Sequence, residues 1–379
     1  MSKVSTGSPL SITYVSFEPL RQGHASYTHV IEIIDGLKDQ GWAVNLIAPE
    51  YNSKNLPGVI ARLMTFTRIW FRVLFSVRTD VLYARMHFAG FIVSLIGKLK
   101  RIPSVVEVNG PFDDLYIAWP SVRKLRFLFD ALMCGQMHMA SIIISVTPGL
   151  KKYSQEKLSK YKTQPLYEVV TNGANTSIFK PIDQLPSRNI PILETKGQPY
   201  AAFYGTFAPW QGLDKLLAAA TSPFWPKSLE LRLAGDGAMR SLVEEAARQH
   251  EHIIYLERLD YQDMPYFVAA SQLSFVITQD TDGRGQFGLY PLKLFEAMAA
   301  GVPVITTQLP GQADVVADNT CGIVLTDASP EVLCKAVKNI YDDKNLSTTY
   351  GQNGRKIAEK LYSWKQLAER TGGILERLF

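Results

Sequence analysis

The chain has 379 residues, 46% of them hydrophobic and 20% charged. That is enough for two domains with a sizeable core each, and it excludes a disordered or fibrous protein. The net charge of +5 conceals a split: residues 1–180 carry 21 Lys/Arg against 12 Asp/Glu (+9), and residues 181–379 carry 19 against 23 (−4). The basic half is expected to meet an anionic partner, though no nucleic acid is expected. Cys134, Cys321 and Cys334 lie far apart, without metal or redox spacing, and read as buried thiols in a reducing compartment. Met1–Ser11 lacks the apolar stretch of a signal peptide, and the longest apolar run, Phe88–Gly97, is too short to span a bilayer. The expectation is a cytoplasmic protein, free or peripheral on the inner face of a membrane.

Ser11–Phe17 reads as a strand, Glu18–His24 as a loop containing Gly23, and Tyr27–Gln40 as a helix with Val30, Ile33, Ile34 and Leu37 on one side. Gly41 ends that helix and Ala43–Ala48 is the next strand, which is the opening of a nucleotide-binding type of α/β sheet. A full G-x-G-x-x-G is absent, so no dinucleotide site is expected. Val59–Val77 is helical, with Arg68 and Arg72 on a polar edge and Phe66, Trp70, Val73 and Leu74 over the remainder. Ser121–Met133 behaves similarly, with Arg123, Lys124 and Arg126 among Leu125, Phe127, Leu128 and Phe129. Two readings stand: basic, aromatic-rich helices that attach to an anionic membrane surface, or helices that cover the sheet and show arginine to solvent.

Asp80–Ala84 and Pro103–Val108 are further strands, and VEVNGPFDD emerges at the carboxyl edge of the sheet, where ligands of such folds bind. Asp113 and Asp114 read as a solvated acidic turn rather than metal ligands. Ser141–Val146 is a buried strand, and Glu168–Pro181 (EVVTNGANTSIFKP) contains the Asn172-Gly173 turn. Ile182–Pro199 is interrupted by prolines, lacks apolar periodicity and reads as a linker.

Beyond the linker, Tyr200–Tyr204 is a strand, Gly205–Trp210 a loop and Gln211–Ala220 a helix. Leu229–Gly237 (LELRLAGDG, with Gly235) and Ile253–Asp260 are strands, Tyr261–Ala270 a helix, and Leu273–Ile277 a strand. Gly283–Thr307 (GRGQFGLYPLKLFEAMAAGVPVITT) is a glycine-rich loop, a helix and a buried strand. Pro291 suits a first helical turn, Leu292, Phe295, Met298 and Ala299 give the helix an apolar side, and Gly301 is its stop. Such a loop feeding a helix N-terminus offers backbone N–H groups to phosphate. Lys293 is a cation that the helix dipole disfavours unless an anion binds there. Glu296, one turn in, can accept hydrogen bonds from sugar hydroxyls. Gly322–Leu325, Pro330–Tyr341 and a last helix from Ser363-Trp364 complete the chain.

LKLFEAMAAGVPVITT resembles the donor segment of glycosyltransferase family four, the group 1 glycosyltransferases of the GT-B fold. So do the N-G-x-[DN]-x-x-x-F-x-P match at Asn172–Pro181, the loop G-T-F-A-P-W-Q-G, G-D-G and the terminal S-W helix. The resemblance implies an α/β protein of two doubly wound, Rossmann-like domains facing a central cleft. They would be an acceptor-side domain over 1–182 joined by a crossing helix over 361–379, and a nucleotide-sugar donor domain over 190–360. It implies a metal-independent, hexosyltransferase-type enzyme that retains anomeric configuration. The substrates would be a nucleotide diphosphate sugar and a glycan or lipid-linked acceptor, as in polysaccharide or lipopolysaccharide biosynthesis, with no cofactor. Glu296 would hold the ribose, the loop at Gly288, Leu289, Tyr290 and Leu292 the diphosphate, and backbone near Arg258 and Leu259 the base. Gly23, Gly205 and Gly235 would shape the donor side, with Arg284 a second cation beside Lys293, and Gly23, Arg85 and Asn109 the acceptor side.

Four positions depart from that pattern. Thr206 and Gln211 stand where the family has arginine and lysine, and Asn109 stands near a family histidine. The family's first glutamate falls at Gly288, or at Gly285 in another register, leaving Asp280 and Asp282 as the nearest carboxylates. A transferase is expected; another nucleotide-sugar enzyme of the fold, or a retired transferase acting as a partner-binding or membrane-binding scaffold, is the alternative.

Overall fold

The computed structural model describes residues 9–51, 57–75, 79–188, 190, 197–280 and 283–379. Asp282 and parts of the Ile182–Pro199 linker lie outside them. The chain divides into two compact units, Met1–Thr171 with Leu367–Phe379, and Asn172–Gln366.

In the first unit the elements alternate: β1 (Ser11–Val15), α1 (Ala25–Asp39), β2 (Ala43–Ile47), α2 (Val59–Leu74), β3 (Val81–Arg85), α3 (Gly90–Lys100), β4 (Ser104–Val108), α4 (Asp113–Ala118), α5 (Arg126–His138), β5 (Ile142–Ser145), α6 (Pro148–Leu158) and β6 (Leu166–Val169). All pairings are parallel, in the order β2-β1-β3-β4-β5-β6. The second unit contains β7 (Tyr200–Thr206), α7 (Leu213–Ala220), β8 (Glu230–Asp236), α8 (Arg240–Gln249), β9 (Ile253–Tyr255), α9 (Met264–Ala269) and β10 (Leu273–Val276). It continues with α10 (Leu292–Ala299), β11 (Val304–Thr307), α11 (Gln312–Asp318), β12 (Gly322–Leu325), α12 (Pro330–Asp342) and α13 (Lys344–Leu361), and α14 (Trp364–Glu376) runs on into the first unit. Its parallel sheet has the order β12-β11-β10-β7-β8-β9. The order reverses between β1 and β3 in one sheet and between β7 and β10 in the other, and ligands of doubly wound sheets bind at the carboxyl ends beside such points.

Both faces of the second sheet are covered, as a parallel sheet requires. Along β7, Ala201 and Phe203 enter one apolar cluster, while Tyr200, Ala202 and Tyr204 enter the other. The buried α10 ends as its glycine implies: Gly301 takes φ +72°, its N–H bonds to Met298 O (3.0 Å), and Val302 N–H bonds to Ala297 O (2.9 Å). That is a complete Schellman cap.

Several boundaries differ from the sequence reading. Asn172–Pro181 does not close the first unit but belongs to the second, where Arg355 Nη1 donates to the carbonyls of Thr176 (3.2 Å), Phe179 (2.8 Å) and Ala299 (2.7 Å). Ser121–Met133 is broken: a 3₁₀ turn over Pro120–Leu125 precedes α5. α7 starts at Leu213, because Pro209–Gln211 forms a 3₁₀ turn and Gly212 adopts φ +67°. Pro291 has ψ 140° and so caps α10 from outside its first turn. The strand at Ile253 ends at Tyr255, and the helix after it begins at Met264. Asp113 and Asp114 open the short α4, with Asp113 paired to Arg126 at 2.9 Å.

Candidate functional site

The second unit gathers Gly205, Gln211, Lys293 and Glu296 at the carboxyl end of β7, beside the β7–β10 reversal. Lys293 leaves the first turn of α10, and its Nζ donates to Gln211 Oε1 (2.7 Å) and lies 4.3 Å from the centroid of the Phe203 ring. A Cβ on Gly205 would lie 3.9 Å from that ammonium. Lys293 is 9% exposed, so it is no surface cation: burial lowers its pKa to about 7, with Glu296 pulling the other way. Burial likewise raises Glu296 to about 7, against the Tyr204 hydroxyl and Lys293. Tyr204 Oη donates to the Lys293 carbonyl at 2.9 Å, tying β7 to α10. The departure at Gln211 thus has a structural consequence: a neutral amide accepts from the buried lysine where a second cation would repel it.

The loop before α10 is held at several points. Gly285 N–H donates to Asp280 Oδ1 (2.7 Å), Gly288 N–H to Gly285 O (3.0 Å) and Leu289 N–H to Pro310 O (2.8 Å). Asn172 Nδ2 donates to the Tyr290 carbonyl at 2.8 Å. The N–H groups of Gly288 and Leu289 are therefore engaged within the protein, and Tyr290 and Leu292 are the positions nearest the helix start. Arg284 opens a 3₁₀ turn ahead of them. On the neighbouring strand a Cβ at Gly235 would fall 1.9 Å from the Gly205 carbonyl oxygen, so only glycine lets β7 and β8 close there. Thr206 is exposed beside Asp236 in the β7–β8 register, Arg258 is exposed and 3.5 Å from Asp236, and Leu259 packs on the core.

In the first unit a cavity of about 430 Å³ opens at the carboxyl ends of β1, β3 and β4, and Glu18, Arg85, His87 and Asn109 are among its lining residues. Behind it lies Glu107, 1% exposed. Its carboxylate accepts from Tyr83 Oη (2.7 Å), Tyr14 Oη (3.2 Å) and Asn109 Nδ2 (2.8 Å), and faces His29 Nε2 at 3.1 Å and Arg85 Nε at 3.5 Å. Burial alone would raise its pKa, yet His29, Arg85 and Asn109 together hold it well below the usual carboxylate range. Arg85 also faces Glu18 at 3.4 Å. Gly23, at φ +85°, stays in the loop after β1 and is not among the residues lining the cavity.

Of the basic helix residues, Arg68, Arg72, Arg123 and Lys124 are exposed. Arg126 is not a free surface charge: it pairs with Asp113 (2.9 Å) and Asp130 (3.4 Å). Phe66, Ile69 and Val73 of α2 are buried, while Ile60, Leu63, Met64, Phe71 and Phe75 are exposed.

Residues 188–357 match the family model described as glycosyl transferases group 1. An uncharacterized glycosyltransferase of Methanocaldococcus jannaschii is 23% identical over 346 residues, covering 88% of this chain and 82% of the relative. Among solved structures, sucrose-phosphate synthase of Thermosynechococcus elongatus superposes with a TM-score of 0.72 at 18% identity, over 98% of this chain and 99% of that one. Anabaena HepE, in complex with UDP, gives 0.69 at 16% identity, over 97% and 100%. The second unit thus matches the group 1 glycosyltransferase family model over most of its length. The fold of the chain is GT-B.

The second-unit pair was readable, because Lys293 and Glu296 share one short motif. Glu107, Tyr14, Tyr83 and His29 were missed, while Arg85 and Asn109 were named only through the resemblance. They come from α1 and three strands, and only their fold brings them together. A carboxylate in the middle of the apolar run SVVEV was the available signal, since a buried parallel strand carries a charge only where partners meet it.

Proposed function

We propose that the protein transfers a hexosyl group from a nucleotide diphosphate sugar to a hydroxyl of a glycan or lipid-linked acceptor, with retention, in cell-envelope or exopolysaccharide synthesis. The observation that carries this is the Lys293–Gln211–Glu296 arrangement at the β7–β10 reversal, a buried ammonium in the first turn of a helix with no ion pair at Nζ among the described residues. The UDP held by HepE supports a nucleoside diphosphate as the occupant. The acceptor oxygen bonds to the anomeric carbon as the bond from that carbon to the β-phosphate oxygen breaks, and the acceptor proton passes to the departing diphosphate. Lys293, with its charge restored by that anion, stabilises the leaving group, and Glu296 binds the ribose. No resident metal or cofactor is invoked.

Attachment to an anionic bilayer fits the exposed basic and apolar residues of α2 and the Pro120–Leu125 turn. Neutralising Arg68, Arg72, Arg123 and Lys124 together should weaken binding to phosphatidylglycerol vesicles at low salt, by up to about 1 kcal/mol per charge. Equal binding by the variant would remove the membrane role.

A thermal-shift panel of nucleoside diphosphates and their sugars, with and without Glu296→Ala, tests the donor reading. A ligand at about 100 times its Kd adds roughly 2.7 kcal/mol. A shift with one base, lost in the variant, supports a working donor site. No shift with any of them favours the scaffold reading, which the uncharged Thr206 and Gln211 and the missing first glutamate would then explain.

A further inference from the structure

The lining of the first-unit cavity includes both cationic and anionic side chains. The Arg62 guanidinium lies 4.2 Å from the centroid of the Trp119 ring. Its Nε is buried without a hydrogen-bond partner, and no ion pair joins its guanidinium to any described residue. A guanidinium stacked face-on over an indole keeps its N–H edge available for an anion in its own plane. His87 lines the same cavity, its ring held among Phe17 (5.4 Å), Phe66 (5.4 Å) and Phe88 (4.2 Å). The Ala89 N–H donates to His87 Nδ1 at 3.1 Å, which fixes the ring proton on Nε2. Burial, with Arg62 nearby, lowers the His87 pKa to about 3, so the ring is a neutral donor over the physiological range rather than a base. Elsewhere in the lining, Glu18 and Asp114 supply carboxylates, and Arg85 is already committed to Glu18 and Glu107.

An uncharged sugar would use those carboxylates and leave the Arg62 guanidinium without a counter-charge and its buried Nε without an acceptor, which is costly. An anion beside Arg62 supplies that counter-charge, and the hydroxyls of the ligand remain free for Glu18 and Asp114. We propose that this cavity binds a phosphate monoester, with the phosphoryl group on Arg62 and His87 and the body of the molecule against Trp119 and Phe88. This rests on the transferase reading and makes that ligand the acceptor. The phosphate can belong to a soluble sugar phosphate or to a lipid phosphate, and both present the same group.

The test is calorimetric titration of the full-length protein with glucose 1-phosphate and geranyl phosphate, each beside its parent alcohol, glucose and geraniol. At least one phosphate should bind tenfold or more tightly than its alcohol. Arg62→Gln should remove that advantage and Arg62→Lys should restore part of it. If glucose 1-phosphate alone shows the advantage the source is a soluble sugar phosphate, and if geranyl phosphate alone does it is a lipid. Equal binding of phosphate and alcohol, no binding of either phosphate, or an unchanged Kd in Arg62→Gln overturns the proposal. The same preparations are heated with the panel of nucleoside diphosphates. A shift with one of them, retained while the phosphates fail, sinks the acceptor assignment and spares the transferase reading, whereas no shift with any of them sinks that reading.

Discussion

Each unit places one glutamate beside its sheet reversal, Glu107 buried and Glu296 half-buried, and the two are driven in opposite directions. Glu107 is 1% exposed and meets two tyrosine hydroxyls, an amide, a histidine and an arginine, which hold it ionised. Glu296 has Tyr204 and the ammonium of Lys293, itself lowered by burial, and its pKa rises to about 7. Desolvation acts on both; the supply of donors decides the sign. Glu107 is satisfied by the folded chain alone, so its role is to fix β1, β3, β4 and α1 behind the cavity. The Lys293–Glu296 pair is left short of partners, as a site awaiting a polar, anionic ligand would be.

Removing the satisfied carboxylate gives the largest expected effect. Glu107→Ala strands both tyrosine hydroxyls and leaves Arg85 with Glu18 alone, and the cost should be about 3–5 kcal/mol in urea unfolding. A loss under about 1 kcal/mol would mean that the cluster is not coupled to folding. Tyr83→Phe deletes one hydrogen bond to a charged acceptor and should cost about 1.5–3 kcal/mol. In the second unit the sign reverses. Lys293→Met removes a buried, poorly partnered ammonium and should stabilise the empty protein at pH 7 by about 1 kcal/mol, while abolishing the thermal response to UDP. A destabilised variant that still responds to UDP would remove Lys293 from the donor site.

This contrast also accounts for what could be read in advance. Alternating strands and helices, the Gly301 stop and the Lys293–Glu296 motif are local, and a window of a few residues contains them. The Glu107 cluster joins positions from 14 to 107 through sheet register, with Tyr14 opposite Tyr83 and Arg85 opposite Glu107. No periodicity in one segment reports such pairings. The break at Pro120–Leu125 and the late start of α7 escaped for a related reason: Gly212 packs where a Cβ would come within 2.3 Å of the Ile277 carbonyl oxygen, a tertiary constraint on a local boundary. Burial of Lys293 was equally hidden, since a lysine beside a glycine loop reads as exposed until its covering strand is placed.

The smallest effect separates the two glutamates by pH. Glu296 has its folded pKa raised from about 4.5 to about 7, so the folded state binds the extra proton between those values. Its contribution to stability is full below the unfolded pKa and is lost as pH rises through 7. Lys293, lowered to about 7, works the other way: its neutral form is favoured in the fold, so stability returns as pH rises from 7 toward the unfolded lysine value. The pair therefore contributes least near pH 7. Glu107, lowered, gives stability that is present above the unfolded carboxylate pKa and is lost only under acid. Glu296→Gln imitates the protonated form, so at pH 5 the expected change is within about 0.5 kcal/mol. Between pH 5 and 7 the variant should lose the decline in stability that the parent shows. Parallel pH profiles for the two proteins would mean that Glu296 is ionised in the empty site, and the opposition between the two carboxylates would disappear.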